Sequence, residues 1–449
     1  MDKLSSVLLL KYKCSLSELF WTLFRNMTLT LERGKEALND FRNNYHTGID
    51  LIHHPPNDVP VNDESLTEFA YSLELTSSEL NHLKTVAEKV LAETIQPLTN
   101  ADRIQKIILS ECHLCNCGRN DSGFDLVVLM PEEEDLGTMT EHIKGHVQKF
   151  TSTSVGRSGA PTLEGQSASV EAHAAGTPHA KAIHFEHDGV HVNIAIGHRY
   201  GISEEENRVA IWNKIADLDQ NGQLKKVHLD QFSIDLYESM TMFMNNQVIP
   251  ESLGEPGTEK FVQGALRLSR AWRQCCLSAR DVQFAPIDAW LIMLHAVHVE
   301  VTSHGQIPKE THKGGTIGSI RKAFKELVHG RGVTGKIQAG GREISMKSVF
   351  KQFLNQLGNI EQVHIQFADF YDQSKVPSWM KTQRPLIHDP VCPYRNTLYD
   401  LYRNKEEHLH RHVTEDIKRH AFECLKMLDD PNATLTKLFH LPTYKKRGA

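Results

Sequence analysis

"GFDLVVLM", Gly123–Met130, is the stretch on which the fold turns. Leu126 to Met130 are β-formers, yet Asp125 stands where a half-buried strand ordinarily carries a neutral residue. Upstream lie "RIQKIILS" (103–110) and a Gly/Asn/Asp/Ser-rich connection, "ECHLCNCGRNDS" (111–122), so the pattern predicts strand, long turn, strand. Downstream, "KAIHFEHDGVHVNIAIG" (181–197) predicts a hairpin. Asp188-Gly189 supplies a positive-φ turn, Val190, Val192, Ile194 and Ile196 alternate on one face, and His191, Asn193 and Ala195 take the other. Asp125 and Asn193 are thus the polar marks on two otherwise apolar strands.

Helices surround these strands. Ser15 and Glu18 form a capping box ahead of Leu16, Leu19, Phe20, Leu23, Phe24 and Met27 on one face. After the polar stretch "HHPPNDVPVNDES", Thr76 and Glu79 open a second helix with Leu80, Leu83, Val86, Ala87, Val90, Leu91 and Ile95 on its apolar side, and Pro97 helps end it. A helix around "TMTEHIKGHVQKF" leads into a Ser/Ala/Gly-rich segment (151–179) that reads as loop. From about Asn207 the chain is helical, through "FVQGALRLSRAWRQCCL", "APIDAWLIMLHAVHVEV", "SVFKQFLNQL" and "TEDIKRHAFECLKML", the last with Thr414 at its cap position. The expected class is α+β: an N-terminal helical extension (1–60), an α+β lobe (61–205), a helical lobe (206–400) and a helical tail (401–449).

The bulk figures agree. A chain of 449 residues that is 40% hydrophobic fills more than one compact core. No apolar run is long enough to span a bilayer, and the opening "MDKLSSVLLLKYKC" is cut by Lys11 and Lys13, so the expectation is a cytoplasmic protein without a membrane partner. Eight cysteines spread over this length read as reduced thiols. The net charge of −6 excludes an all-over basic protein, but residues 301–351 hold ten cations against three anions, +7, leaving −13 elsewhere. Within this insert (about 305–345), "GSIRKAFKELVHGRGVTGK" predicts a basic amphipathic helix and a Gly-rich loop, with Phe324 and Leu327 inward. Lys313, Arg321, Lys322, Lys325, Arg331 and Lys336 are its candidate nucleic-acid contacts, weighed against a merely solvated face.

Two other groupings are weaker. Cys112, Cys115 and Cys117 offer a Cys-x-x-Cys bite for zinc but have no second pair at finger-like spacing, unless Cys275, Cys276 or Cys392 approach in three dimensions; packed thiols are the plainer reading. His408, His412 and Asp416 recur at i, i+4, i+8, where a solvated helix face is favoured over a metal site.

Three stretches together resemble the 2′-5′-oligoadenylate synthases and the related cyclic GMP-AMP synthase-like receptors, from about Leu75 to Asn396: the strand "GFDLVVLM", the helix pair "LRLSRAWRQCC…FAPIDAWLIMLHAVH", and the proline-rich "QRPLIHDPVCPYRN". The resemblance implies a polymerase-β-like nucleotidyltransferase lobe packed on a helical lobe. It also implies magnesium-dependent attack of a ribose hydroxyl on the α-phosphate of ATP or GTP, activation by double-stranded RNA or another nucleic acid, and a role in antiviral innate immunity. The reaction needs two divalent cations held by three carboxylates, two on one strand and a third on the neighbouring hairpin. On that pattern the first acid falls at Gly123, the second at Asp125 and the third at Asn193, so one carboxylate of three remains. The family's Gly-Ser phosphate cradle falls at Ser110-Glu111, where the glutamate repels a phosphate. Arg270, with Arg273 nearby, falls where the family keeps a basic residue for the donor's phosphates. The expectation is a catalytically degenerate relative that binds double-stranded RNA or a protein partner, without a cofactor, the alternatives being an active nucleotidyltransferase using magnesium at Asp125 and a scaffold that binds no RNA.

Overall fold

The structure, a computed structural model, describes residues 59–99, 104–109, 124–155, 182–224, 229–248, 256–276, 284, 286–304, 316–317, 336–339, 342–367, 370–371, 373–398 and 408–439. The helix expected at 15–27, the loop carrying Cys112, Cys115 and Cys117, and the helix expected around Arg321 lie outside them.

The first element, α1 (Asp63–Ser72), falls where the sequence reading placed only a polar connection. Its signal is Asn62, whose side chain caps the Ser65 N–H while the Ser65 hydroxyl caps Asn62 in return. α2 (Ser77–Val90) starts at the expected Thr76–Glu79 capping box. Pro97 does not stop it. The chain widens into a π-turn over Leu91–Ile95 and continues through Gln96–Thr99, and that wider winding relieves a ring that lacks an N–H and crowds the preceding turn.

The sheet lobe follows as β1 (Lys106–Leu109), β2 (Phe124–Pro131), α3 (Leu136–Val155), β3 (Ala182–His187) and β4 (Val190–Arg199). Strand order is β1-β2-β4-β3, with β2 and β4 parallel and both outer pairs antiparallel. Asp188 (φ 51) and Gly189 (φ 77) form the expected hairpin turn. Phe124, Leu126, Val128 and Met130 of β2, with Val190, Val192, Ile194 and Ile196 of β4, form one buried face against Val86 and Val90 of α2 and Met139, Ile143 and Val147 of α3.

The helical lobe comprises α4 (Glu204–Gln220), α5 (Asp230–Asp235), α6 (Tyr237–Val248), α7 (Pro256–Cys276), α8 (Pro286–His304), the hairpin of β6 (Lys336–Ala339) and β7 (Arg342–Ser345), α9 (Met346–Gly358), α10 (Ser378–Lys381), α11 (His408–Asp429) and α12 (Leu435–Leu438). A small parallel sheet orders β5 (Thr316–Ile317), β8 (His364–Phe367) and β9 (Leu386–Ile387). Trp272 and Trp290, from the helix pair singled out in the sequence, are among the largest fully buried side chains. Thr414 is buried within α11, which begins six residues earlier at His408, so it caps nothing.

Val61, Leu66, Phe69, Ala70 and Leu73 pack in the core cluster of the helices. α1 packs on α7 and α9, and the backbone just before it pairs with the far end of the chain: Val61 N–H donates to Ala433 O (2.9 Å) and Leu435 N–H to Val59 O (3.0 Å). The α+β class is as expected. Among the described residues no helix is long and apolar enough to cross a membrane.

Candidate functional site

The sheet's second face carries Asp125, Val127 and Leu129 of β2, since successive side chains of a strand point to opposite sides. Its lower part is sealed. Ile108, Val127 and Leu129 pack with Ile234 of α5, and Tyr237 closes over them. Glu238 of α6 pairs with Lys106 of β1 (2.8 Å) and Arg199 of β4 (3.2 Å), pinning both strands to the helix. Asp235 fills the space that a side chain at 197 would need. A Cβ built on Gly197 meets Asp235 Oδ1 at 2.7 Å, which is why a glycine stands in β4. The Asp235 carboxylate accepts from the His198 N–H (2.8 Å) and Gln231 Nε2 (3.1 Å), and burial pushes its pKa up to about 6 against those hydrogen bonds. None of these polar contacts was evident in the sequence, where Gly197 within an apolar alternation is the one mark of a close approach.

The other end of this face holds Asp125. The register pairs Asp125 with Asn193 and Asn193 with His184, so three polar side chains stand in one row across β2, β4 and β3. Asn193 Nδ2 donates to Asp125 Oδ1 at 2.5 Å, and His184 Nδ1 lies 2.5 Å from Asn193 Oδ1. The row fixes its own protons: an ionised carboxylate only accepts, so the amide turns its NH₂ toward Asp125, and the remaining amide oxygen requires a proton on His184 Nδ1. All three residues are partly buried. His184 was not among the sequence candidates, because alternation marks it only as one polar residue of a hairpin.

This donor set does not fit a two-magnesium centre. Magnesium takes hard oxygen ligands and usually a carboxylate or two, whereas the row offers one carboxylate already held by an amide N–H, and an imidazole. An aspartate at 193 would set two carboxylates side by side and require a cation between them; the amide removes that requirement by supplying the proton itself. Gly123 and Ser110 lie outside the described residues.

Arg270 and Arg273 sit one turn apart on α7, both partly buried. Arg273 Nε donates to Phe284 O (2.5 Å), and burial, with the neighbouring Arg270 charge, lowers its pKa to about 10 while Asp288 opposes the shift. Arg270 keeps one buried guanidinium N–H without a hydrogen-bond partner. Of the basic insert, Lys336 lies in β6, with its side chain outside the described set, and Lys313, Arg321, Lys322, Lys325 and Arg331 are outside altogether.

The Cys-x-x-Cys loop lies outside the described residues, and Cys276 and Cys392, left open as further ligands for it, are buried. Cys276 lies beside Cys424, both thiols directed at Leu438 O, and burial pushes the Cys276 thiol well up. Cys392 is buried next to Asp389, its thiol pushed up to about 12 chiefly by burial. They read as packed thiols, inert by reason of that burial. His408 and His412 fall on α11, with side chains outside the described set, and Asp416 pairs with Arg419 (2.7 Å).

No protein-family profile matches this chain, and no curated protein does. Several solved structures are distantly similar to this chain. The GLD-2/RNP-8 complex shares 12% identity over 84% of this chain and 97% of that one, with a TM-score of 0.44. The Cid1 poly(U) polymerase with Mg 3′-dATP bound shares 12% over 85% and 100%, TM-score 0.43. A cytoplasmic RNA terminal U-transferase shares 12% over 83% and 97%, TM-score 0.41. Likeness at this level carries nothing about this chain's substrate or activity.

Proposed function

We propose that this chain is a nucleotidyltransferase-fold protein that has lost its two-metal centre and acts by binding double-stranded RNA, in innate-immune sensing or its regulation. The row Asp125–Asn193–His184 carries the reading. Asp125 and Asn193 stand at two of the three positions where the resemblance calls for carboxylates, and their side chains bond to each other and to His184 without a metal. Transfer of a nucleotidyl group needs charge stabilisation at the attacking and leaving oxygens, and one carboxylate bonded to an amide supplies little of it. The +7 of residues 301–351 supports the RNA part, since A-form duplexes are recognised by phosphate and shape contacts that demand spaced cations and no reacting groups. The orphaned Arg270 N–H beside Arg273 supports residual affinity for a nucleotide's phosphates.

Three measurements test this. Incubated with ATP, GTP, Mg²⁺ or Mn²⁺ and double-stranded RNA, the protein is expected to yield no 2′-5′-linked or cyclic product; product that disappears in Asp125→Ala refutes the loss of chemistry. Asn193→Asp is expected to lower Tm in EDTA, because it sets two carboxylates together, and to regain stability with millimolar Mg²⁺, whereas the wild type responds to neither. A wild-type Tm that rises with Mg²⁺ and no longer does so in Asp125→Ala means that the row holds a metal after all. Double-stranded RNA affinity is expected to fall steeply with salt, and charge reversal at Arg321, Lys322 and Lys325 to flatten the slope by about 0.9 per lost phosphate contact, taking the B-DNA coefficient as a guide. Absent or salt-independent binding favours a protein partner instead.

A further inference from the structure

Between β8 and β9 the chain forms a small platform, Gln373–Lys375 and α10, whose underside is nailed down. Val376, Met380 and Leu386 are buried with Tyr371, and Phe370 and Trp212 pack against them. Its upper side is the opposite in character. Trp379 is 40% exposed, and Lys375, Lys381 and Arg384 are all exposed. Among the described residues these three cations have no ion-pair partner. Most other lysines with described side chains are held otherwise: Lys84, Lys89, Lys106, Lys144, Lys214, Lys351 and Lys418 each meet a carboxylate. Residues 373–388 contain no acid at all. Asp219 of α4 accepts from Trp379 Nε1 at 3.4 Å and so holds the indole by its edge, leaving ring surface open. Its charge also raises the phenol pKa of the partly buried Tyr394, after burial, which brings a second aromatic side chain to the same neighbourhood. Arg384 is tied back to the platform through Lys381 O (3.3 Å) and Gln383 O (2.5 Å).

We propose that this face, Trp379 with Lys375, Lys381 and Arg384, binds single-stranded nucleic acid. The chemistry selects that partner. An open indole face on a rigid support offers a stacking surface to an unpaired base, which a duplex keeps inside its own stack. Three unpaired cations within ten residues offer contacts to successive phosphates, and the net charge stays positive with Asp219 included. The site shares no residue with the basic insert or with the Asp125 row, so it stands whether or not the duplex reading holds.

The test uses the full chain and a fluorescein-labelled 12-nucleotide RNA without self-complementarity, titrated by anisotropy at several salt concentrations. Trp379→Ala is expected to weaken binding about tenfold, within the range for one stacked base, while Trp379→Phe keeps most of it. Lys375→Glu/Lys381→Glu/Arg384→Glu is expected to reduce the salt slope by about 2, since each single-strand phosphate contact contributes about 0.7. Trp379 is half in solvent, so circular dichroism and Tm of the variants should stay near the wild type, which separates lost binding from lost folding. Charge reversal at Arg321, Lys322 and Lys325 should leave this titration unchanged. Wild-type affinity in the triple variant, equal loss in Trp379→Phe and Trp379→Ala, or competition by poly-glutamate as effective as by unlabelled RNA overturns the proposal.

Discussion

Trp272→Ala is expected to destabilise the protein by about 3–5 kcal/mol, the usual cost of emptying a large aromatic site. Trp272 is fully buried in α7, its ring edge-on to Phe353 of α9 at 5.7 Å, and its Nε1–H donates to Cys424 Sγ of α11 at 3.3 Å. Three helices therefore lean on one side chain. The void cannot close by relaxation of any one of them, because α9 is itself locked through Phe350, stacked on Phe353 and on Phe439. Trp272→Phe retains most of the volume and loses only a weak bond to sulfur, so about 1–2 kcal/mol is expected. Equilibrium urea unfolding distinguishes the two. Equal losses in both variants would mean that the indole N–H, and not the packing, secures this core.

Asp235→Asn should remove a pH dependence of stability worth about 3 kcal/mol, the free energy of a two-unit pKa difference. Burial raises the folded-state pKa of Asp235 to about 6 from an unfolded value near 4. The folded chain thus holds this proton more tightly than the unfolded chain. Stability from this group is fully present below pH 4 and is lost as pH rises through about 6. Asparagine keeps an acceptor for the His198 N–H and carries no charge, so the variant should match the wild type at pH 4 and exceed it at pH 7. Other carboxylates titrate in the same window, and the wild-type-minus-variant difference in Tm across pH 4 to 7 isolates Asp235. A flat difference would show that the carboxylate is ionised in the fold at no cost. Tyr200, whose hydroxyl faces the same carboxylate at 3.4 Å, has its phenol pKa raised mainly by burial and then by that charge, so it stays protonated throughout.

The sheet was legible because its signals are local. Two-residue alternation and the Asp188-Gly189 turn specify β3 and β4 without reference to the rest of the chain, and the same alternation isolates Asp125 and Asn193 as the odd residues of their strands. What the sequence could not convey is the register of β2 on β4. The two-residue turn sets His184 opposite Asn193, but no spacing rule places Asp125 beside them. Asp235 was hidden for a related reason: within "DQFSID" it resembles any helical acid, and its burial depends on the space left by Gly197 some forty residues earlier. α1 was masked by its neighbours, since a proline-rich polar run precedes it and only the Asn62–Ser65 exchange marks its start. Pro97 and Thr414 show the converse, residues with strong positional preferences that tertiary packing overrode.

The backbone pairing of residues 59–61 with 433–435 has a consequence for synthesis. The helical core takes one wall, α1, from the earliest described residues and its closing strand contact from the last, while every strand of the four-stranded sheet is complete by Arg199. On a ribosome α1 is the first of the described elements to emerge, and Leu66, Phe69 and Ala70 wait for α7 and α9 to be made before the pairing with residues 433–435 closes over them. The sheet lobe is then a long excursion from a helical body that residues 433–439 seal, and the apolar side of α1 needs protection on the way.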